Sequence, residues 1–245
     1  RGTDHNSRAR ALEELQRYLD LPNAPLRIEC YDMSHLQGTD YVGSMVVLED
    51  ALPRKSEYRR FKIRDVPGND DFAAMEEVLS RRLKKYVEER ESPSDEPGKF
   101  AYPPQLLVVD GGKGQLGVAQ RVLTSLGLGQ EIPVVALAKQ FEEVFVPGKS
   151  DPIHLPRGSE ALYLLQRVRD ESHRFAIAYH RQLRNKRMTR SVLDGITGLG
   201  DVRRRRLIKE FGGVRKVRQA SLDDLQALSW LPNNVAVAVH ERTQG

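Results

Sequence analysis

The sequence predicts an α/β protein, a mixed five-stranded sheet flanked by helices, followed by a small all-α domain. Three observations point there. Over the first three quarters of the chain, short hydrophobic runs are interleaved with long amphipathic helices. Two of those runs, Leu26-Arg27-Ile28-Glu29-Cys30-Tyr31-Asp32 and Gln105-Leu106-Leu107-Val108-Val109-Asp110, close on an aspartate. The remaining quarter is basic and helical, punctuated by glycines.

Residues 8–20 carry Leu12, Leu15 and Leu19 at helical spacing, and Pro22 and Pro25 end that helix. Three strands follow, 26–32, 41–48 and 56–63. Gly38-Thr39-Asp40 and Asp50-Ala51-Leu52-Pro53 serve as turns. In the third strand Tyr58 and Arg60 point one way, and Arg59, Phe61 and Ile63 the other. Links this short imply antiparallel pairing. Asp70 or Asp71 opens a helix to about Glu89 with an apolar stripe of Phe72, Met75, Val78, Leu79, Leu83 and Tyr86. Residues 91–104 read as an exposed loop. A buried strand at 105–110, a helix from Gln115 to Leu126, a strand at 133–137 and a hairpin at 141–155 turning on Pro147-Gly148-Lys149-Ser150 come next. A long helix then runs from Ser159 to about Arg184, and 185–191 form a linker.

Three antiparallel strands, helix, strand, helix, strand, helix is the order of the RNase H-like fold. In that arrangement the first and fourth strands are neighbours, so Asp32 and Asp110 meet. Two hard oxygen donors at one point make a site for Mg²⁺ or Mn²⁺. Such a site suits phosphodiester hydrolysis, where a metal polarises the phosphoryl oxygen and acidifies a water. His173 lies on the inner stripe of the last long helix with Leu162, Leu165, Arg169, Ala176, His180 and Leu183. It reads as a ligand or a proton-transfer group. Asp170 and Glu171 are rivals one turn earlier, and spacing alone does not rank the three. The ordinary reading of each residue, a strand-end aspartate capping a backbone N–H or a hydrogen-bonded core histidine, weakens because they occur together.

Asp110-Gly111-Gly112-Lys113-Gly114-Gln115 joins strand four to a helix. Its glycines allow a sharp turn and close phosphate approach, and Lys113 is a candidate DNA-phosphate contact. The motif lacks the glycine spacing and the Ser/Thr of a P-loop. Lys55, Arg59, Arg60 and Lys62 on the third strand either track a nucleic-acid backbone or stand as solvated edge charges; both readings stay open.

Of 245 residues, 39% are hydrophobic and 30% charged, a soluble globular composition with no membrane-spanning stretch. The first residues, Arg1-Gly2-Thr3-Asp4-His5, are not a signal peptide and include no initiator Met, which points to a fragment or a processed product. The single cysteine, Cys30, cannot form an internal disulfide; it fits a cytoplasmic location and inert burial in its strand. The net charge is +5, yet Lys186 to Gly245 holds 12 Lys and Arg against 6 Asp and Glu. A basic tail beside a near-neutral body points to a polyanion partner.

Within that tail, Gly195-Ile196-Thr197-Gly198-Leu199-Gly200 precedes Asp201-Val202-Arg203-Arg204-Arg205-Arg206. A Gly-x-Gly turn before a helix presents N–H groups and a positive dipole end to phosphate. This is a helix-hairpin-helix pattern, reading DNA backbone through Gly198, Gly200 and Arg203, Arg204, Arg205 and Arg206. A second unit begins at the capping box Ser221-Leu222-Asp223-Asp224. Its hairpin, Ser229-Trp230-Leu231-Pro232, has no glycine, so its phosphate contact is in doubt, and Trp230 reads as packing between the units or stacking on a base.

Taken together, these motifs resemble the C-terminal half of UvrC, the nuclease subunit of bacterial nucleotide excision repair. The likeness is carried by Ile28-Glu29-Cys30-Tyr31-Asp32-Met33-Ser34-His35, Tyr58-Arg59-Arg60-Phe61, Asp70-Asp71-Phe72-Ala73-Ala74-Met75, Val109-Asp110-Gly111-Gly112-Lys113-Gly114-Gln115 and Arg169-Asp170-Glu171-Ser172-His173-Arg174-Phe175-Ala176. The resemblance implies incision of damaged double-stranded DNA on the 5′ side of a lesion. It implies the catalytic set Asp32, Asp110 and His173, favouring His173 over its two neighbours, with Asp71 as a further aspartate important for activity. It also implies UvrB as partner, with UvrA upstream. The family's GIY-YIG nuclease half and UvrB-contacting region have no counterpart in these residues, so the resemblance implies weak cleavage by this chain alone. The segment Gly68-Asn69-Asp70-Asp71 departs slightly from the family's Gly-Asp-Asp. The expected organisation is an RNase H-like endonuclease domain over 1–186 and a tandem helix-hairpin-helix domain over 190–245. Two other readings remain: a structure-selective nuclease of the resolvase or endonuclease V type, and a catalytically silent DNA-binding module.

Overall fold

The structure, a computed structural model, describes the chain apart from residues 1, 36–40, 65, 67–69, 93–95, 97, 139–142 and 245, and apart from the side chains of 2–4, 186 and 188–191. The expected turn Gly38-Thr39-Asp40, the Gly68-Asn69 departure and the first two residues of the hairpin at 141–155 lie outside the described residues.

Helix α1 (Gly2–Tyr18) leads into β1 (Arg27–His35), β2 (Tyr41–Glu49), β3 (Leu52–Pro53) and β4 (Arg59–Lys62). Helix α2 (Asp71–Glu91), β5 (Leu106–Asp110), α3 (Lys113–Ser125), β6 (Val134–Leu137), β7 (Glu143–Phe145), β8 (Ile153–His154) and α4 (Glu160–Leu193) follow. The described strands form one sheet in the order β3-β2-β1-β5-β6-β7-β8, with β4 also paired to β2. Its centre is the expected five-stranded mixed sheet: β4, β2 and β1 antiparallel, then β5 and β6 parallel to β1. The short strands β3, β7 and β8 extend it. Strand β5 is buried along its whole length, which explains its unbroken apolar run.

The pleat sends alternate side chains to two cores. Ile28, Cys30, Val46, Leu106 and Val108 pack with Leu12 and Leu15 of α1 and Leu162, Leu165 and Val168 of α4. Tyr31, Met45, Phe61, Leu107 and Val109 pack with Met75, Val78 and Leu79 of α2 and Leu116 and Ala119 of α3. Helix α2 is capped by the Asp70 carboxylate, which accepts from the N–H groups of Phe72 and Ala73 at 3.1 and 3.0 Å.

The second core also encloses a charged cluster. Glu29 and Arg82 are fully buried. Glu29 Oε1 accepts from Arg82 Nη2 at 2.8 Å and from Arg27 Nη2 at 3.2 Å, and Oε2 accepts from the Tyr31 hydroxyl at 3.0 Å. Arg82 also donates to the carbonyls of Phe100 and Tyr102, tying down the segment before β5.

Five expectations are corrected. Strand β1 continues to His35, three residues past Asp32, so that aspartate lies within its strand and not at its end. Residues 55–57 form a 3-10 turn, so the third expected strand begins only at Arg59. The turn after β2 is confined to Asp50 and Ala51, both at positive φ, and Leu52–Pro53 pair back onto β2. Phe72 is 49% exposed, its ring beside Gly114 rather than in the core, because the first turn of α2 overhangs the start of α3. The linker expected at 185–191 is helical: no Gly or Pro interrupts that stretch, and α4 ends only before Gly195 at φ +77°.

The chain divides into two compact units, Arg1–Ile177 and Ala178–Gly245. The second contains α5 (Asp201–Phe211), α6 (Val214–Gln219), α7 (Leu222–Gln226) and α8 (Asn233–Gln244) around Leu207, Val217, Leu225, Val235 and Val239. The Ser221 capping box forms: Ser221 Oγ accepts from Asp224 N–H, and Asp224 Oδ2 accepts from Ser221 N–H. No helix among the described residues is long and apolar enough to cross a membrane.

Candidate active site

The parallel register of β1 and β5 sets Tyr31 opposite Val109, so Asp32 and Asp110 stand side by side one residue further on. Neighbouring strands are about 4.8 Å apart. Both residues share the sheet face of Cys30 and Val108, which α4 covers. From α4, His173 directs Nδ1 to Asp32 Oδ2 at 3.1 Å and Nε2 to Asp110 Oδ2 at 3.6 Å. One ligand atom from each of the three lies within 4.8 Å of the other two.

The Asp110 side chain is 2% exposed, and neither of its oxygens accepts a hydrogen bond among the described residues. A buried carboxylate without donors is costly unless a cation compensates it. The histidine sharpens the point. A neutral imidazole donates from one nitrogen only. With a carboxylate facing each nitrogen, one nitrogen lone pair of the neutral ring confronts an oxygen lone pair, a conflict that a second ring proton or a bound cation relieves. The donor set of two carboxylates and one imidazole therefore fits a divalent metal. The His173 side chain is 37% exposed, which leaves the site open to water on the α4 side.

Cys30 lies on the same face, one strand step behind Asp32. Burial, and then the charges of Asp110 and Asp32, push its thiol well above the usual range, while Ser172 partly offsets them. It stays protonated and uncharged, as the inert reading of this residue expects.

Of the two rivals to His173, Asp170 is exposed. Glu171 is buried but occupied: Oε1 accepts from the Tyr58 hydroxyl at 2.7 Å, and Oε2 pairs with Arg174. Asp71 is exposed in the first turn of α2 and is not part of the three-residue cluster. Gly111, at φ +146°, makes the turn after Asp110 in a conformation that side chains rarely adopt. Gln115 reaches back to the Gly112 N–H at 3.0 Å and fixes the start of α3, and the Lys113 ammonium stands 5.9 Å from the Phe145 ring.

Sequence reasoning missed the aromatic group beside the site. The Phe175 ring meets Tyr58 edge-on at 5.1 Å and carries the Arg60 guanidinium at 4.2 Å. The signal was present: Tyr58 and Arg60 alternate onto one face, and Phe175 lies two residues past His173.

In the second unit, Gly198 sits at φ +87°, and a Cβ there would come within 2.8 Å of Val235. Gly200 caps α5. Arg203 donates to the Gly198 carbonyl, Arg204 pairs with Asp194 and Asp201, and Arg205 donates to the Asp201 carbonyl. Arg206 stacks on Trp230 at 4.7 Å, and Trp230 donates to Glu210 at 2.8 Å. These contacts brace the hairpin and hold Trp230 in a packed role.

Comparison with known proteins gives the family of the chain. The chain is 52% identical over 241 residues to the UvrABC system protein C of Streptomyces avermitilis, covering 92% of this chain and 35% of that protein. The corresponding protein of Acidothermus cellulolyticus is 48% identical over 262 residues, covering 100% and 41%. That of Mycolicibacterium paratuberculosis is 50% identical over 249 residues, covering 98% and 38%. The chain thus spans roughly two fifths of the length of these relatives. A solved Ciona intestinalis endonuclease V bound to inosine-containing DNA aligns with a TM-score of 0.35 at 14% identity, over 66% of this chain and 67% of that one; at that level the likeness carries no argument. The family model for the UvrC RNase H endonuclease domain matches residues 16–177, the stretch that holds both aspartates and the histidine, and the chain belongs to that family.

Proposed function

We propose that this chain is a divalent-metal-dependent DNA endonuclease module that makes the 5′ incision beside a lesion in nucleotide excision repair. The observation that carries the reading is the pair of donorless oxygens on Asp110, set against Asp32 and His173 in one water-accessible cluster. The relatives described above are UvrABC system protein C, which supports the pathway.

Asp32 and Asp110 would hold the cation, Mg²⁺ or Mn²⁺, between their carboxylates, with His173 as third ligand or proton-transfer group. When bound, the cation supplies Lewis-acid polarisation of a phosphoryl oxygen and acidifies a water. The chain's residues do the rest. The carboxylates would fix the cation's place relative to His173, and the cation would offset their repulsion of the phosphate. Water oxygen bonds to phosphorus and releases a proton to solvent as the P–O3′ bond breaks; where His173 is the proton-transfer group and not a ligand, it gives its proton to the departing 3′-oxygen. Asp71, in the first turn of α2, supports the site. Residues 1–186 serve as the nuclease domain and 190–245 as the tandem helix-hairpin-helix domain. Lys113, the hairpin glycines Gly198 and Gly200, and Arg203 to Arg206 hold the backbone of damaged duplex DNA. The partner is UvrB, with UvrA acting upstream, and the setting is the cytoplasm.

The test is a reconstituted repair reaction. With the substitutions carried in a full-length relative that also makes the 3′ cut, the changes matching Asp32→Ala and Asp110→Ala should abolish the 5′ cut and leave the 3′ cut intact. Persistence of the 5′ cut in either variant would overturn the assignment. Titration with Mn²⁺, followed by electron paramagnetic resonance, should show a bound ion in the unmodified chain and none in Asp110→Ala.

A further inference from the structure

We infer that Arg60 grips the DNA phosphate next to the scissile one, held ready by Phe175. The inference rests on the nuclease reading above and adds a residue to it.

The sheet register places Arg60 opposite Ser44 on β2, and Ser44 opposite Asp32 on β1. Paired residues share a face, so Arg60, Ser44, Asp32 and Asp110 form one transverse row on the α4 side of the sheet. Two strand spacings, about 10 Å, separate the Arg60 and Asp32 backbones. An extended arginine covers much of that span.

The guanidinium has a defined seat. Its carbon lies 4.2 Å from the centre of the Phe175 ring, two residues past His173 on α4. Phe175 is fixed edge-on by Tyr58, and the Tyr58 hydroxyl is bonded to buried Glu171, itself paired with Arg174. Burial, then the hydrogen bond to Glu171, raises the Tyr58 pKa, so this prop is a neutral donor at working pH. Stacking engages the flat face of a guanidinium, whereas phosphate is gripped by its N–H edge. The two interactions are compatible.

Electrostatics supplies the need. A DNA strand entering this row meets two carboxylates. A bound cation compensates them at the scissile phosphate but not at the next one along. Arg60, itself exposed on β4 in the same row, would meet that second phosphate. Its planar fork matches two phosphate oxygens at once.

The experiment combines variants of the full chain with substrates in which single phosphates flanking the cut are replaced by neutral methylphosphonates. Arg60→Ala should slow 5′ cleavage about 100-fold, and Arg60→Lys should recover only part of that, since an ammonium lacks the fork. Mn²⁺ affinity should not change, because Arg60 is outside the ligand set. At one flanking position, neutralising the phosphate should slow the unmodified chain but leave Arg60→Ala no slower than it already is. Phe175→Leu, which keeps the packing and removes the stack, should raise KM with little change in kcat. If the two losses simply multiply at every position, Arg60 touches no phosphate and the inference fails while the nuclease reading stands. If the unmodified chain makes no 5′ cut with all partners present, both fail together.

Discussion

Glu29 and Asp110 are buried carboxylates on adjacent strands of one sheet, yet their surroundings are opposite. Glu29 is met by Arg82, Arg27 and the Tyr31 hydroxyl. Burial alone would lower the Arg82 pKa, but the charge of Glu29 and the neighbouring Tyr31 outweigh it, and Arg82 is held above its ordinary value. Among the described residues Asp110 has no such donors; it faces a second carboxylate and a histidine that meets both. The first arrangement supplies its counter-charge from within the chain and fastens the segment at Phe100 and Tyr102. The second leaves the counter-charge to be brought from outside. Internal satisfaction marks a structural site; a charge deficit built into a rigid sheet marks a binding site.

That contrast can be broken by substitution. The largest effect expected is at Asp110: Asp110→Asn should reduce 5′ cleavage at least a thousandfold, about 4 kcal/mol in transition-state terms. Its melting temperature in EDTA should equal or exceed that of the unmodified chain, because a donorless buried charge has been removed. A large fall in that temperature would show that Asp110 is structural after all. Next comes Arg82→Met, which strands Glu29 in the core and should cost about 3 kcal/mol of folding stability by urea denaturation. No loss there would mean that water reaches Glu29. Mn²⁺ at 100 times its dissociation constant should stabilise the unmodified chain by about 2.7 kcal/mol and Asp110→Asn not at all; equal stabilisation of both would place the ion elsewhere. The smallest effect is at Tyr31. Tyr31→Phe removes one hydrogen bond to Glu29 and should cost about 1 kcal/mol at neutral pH. Burial, then the Glu29 charge, raises the Tyr31 pKa well above its ordinary value. The folded state therefore holds its proton where the unfolded chain releases it. The resulting stability is present below about pH 10 and lost as pH climbs toward the folded value. Urea midpoints between pH 8 and 11 should decline less steeply for Tyr31→Phe.

The strand and helix pattern was legible because its signals are local. The all-apolar run 106–109 announces a central strand, and the Met75, Val78, Leu79, Leu83 and Tyr86 spacing announces α2. The same spacing carries Arg82 on the buried face, three residues after Leu79 and four before Tyr86, and Glu29 interrupts an apolar strand. Each looks anomalous alone; their pairing across 53 residues is a tertiary fact. The linker expected at 185–191 failed because polar composition resembles a loop, while nothing in that stretch actually stops a helix. Phe72 failed because periodicity cannot tell a helix face over the core from one overhanging its edge. Among the site residues, the pattern identified two aspartates in buried strands, only Asp110 at a strand end, and left three candidates on α4. The occupation of Glu171 by Tyr58 and Arg174, and the outward position of Asp170, distinguish them.

By itself the sequence determined most of the strands and helices, which side chains share a face, and that two aspartates belong to buried strands, since backbone sterics and burial act over a few residues. Only the tertiary structure decided that β5 lies beside β1, that α4 brings His173 to both carboxylates, and that Glu29 finds its cations while Asp110 does not. Those outcomes depend on which distant elements pack together, because charge compensation is settled by neighbours in space and not along the chain.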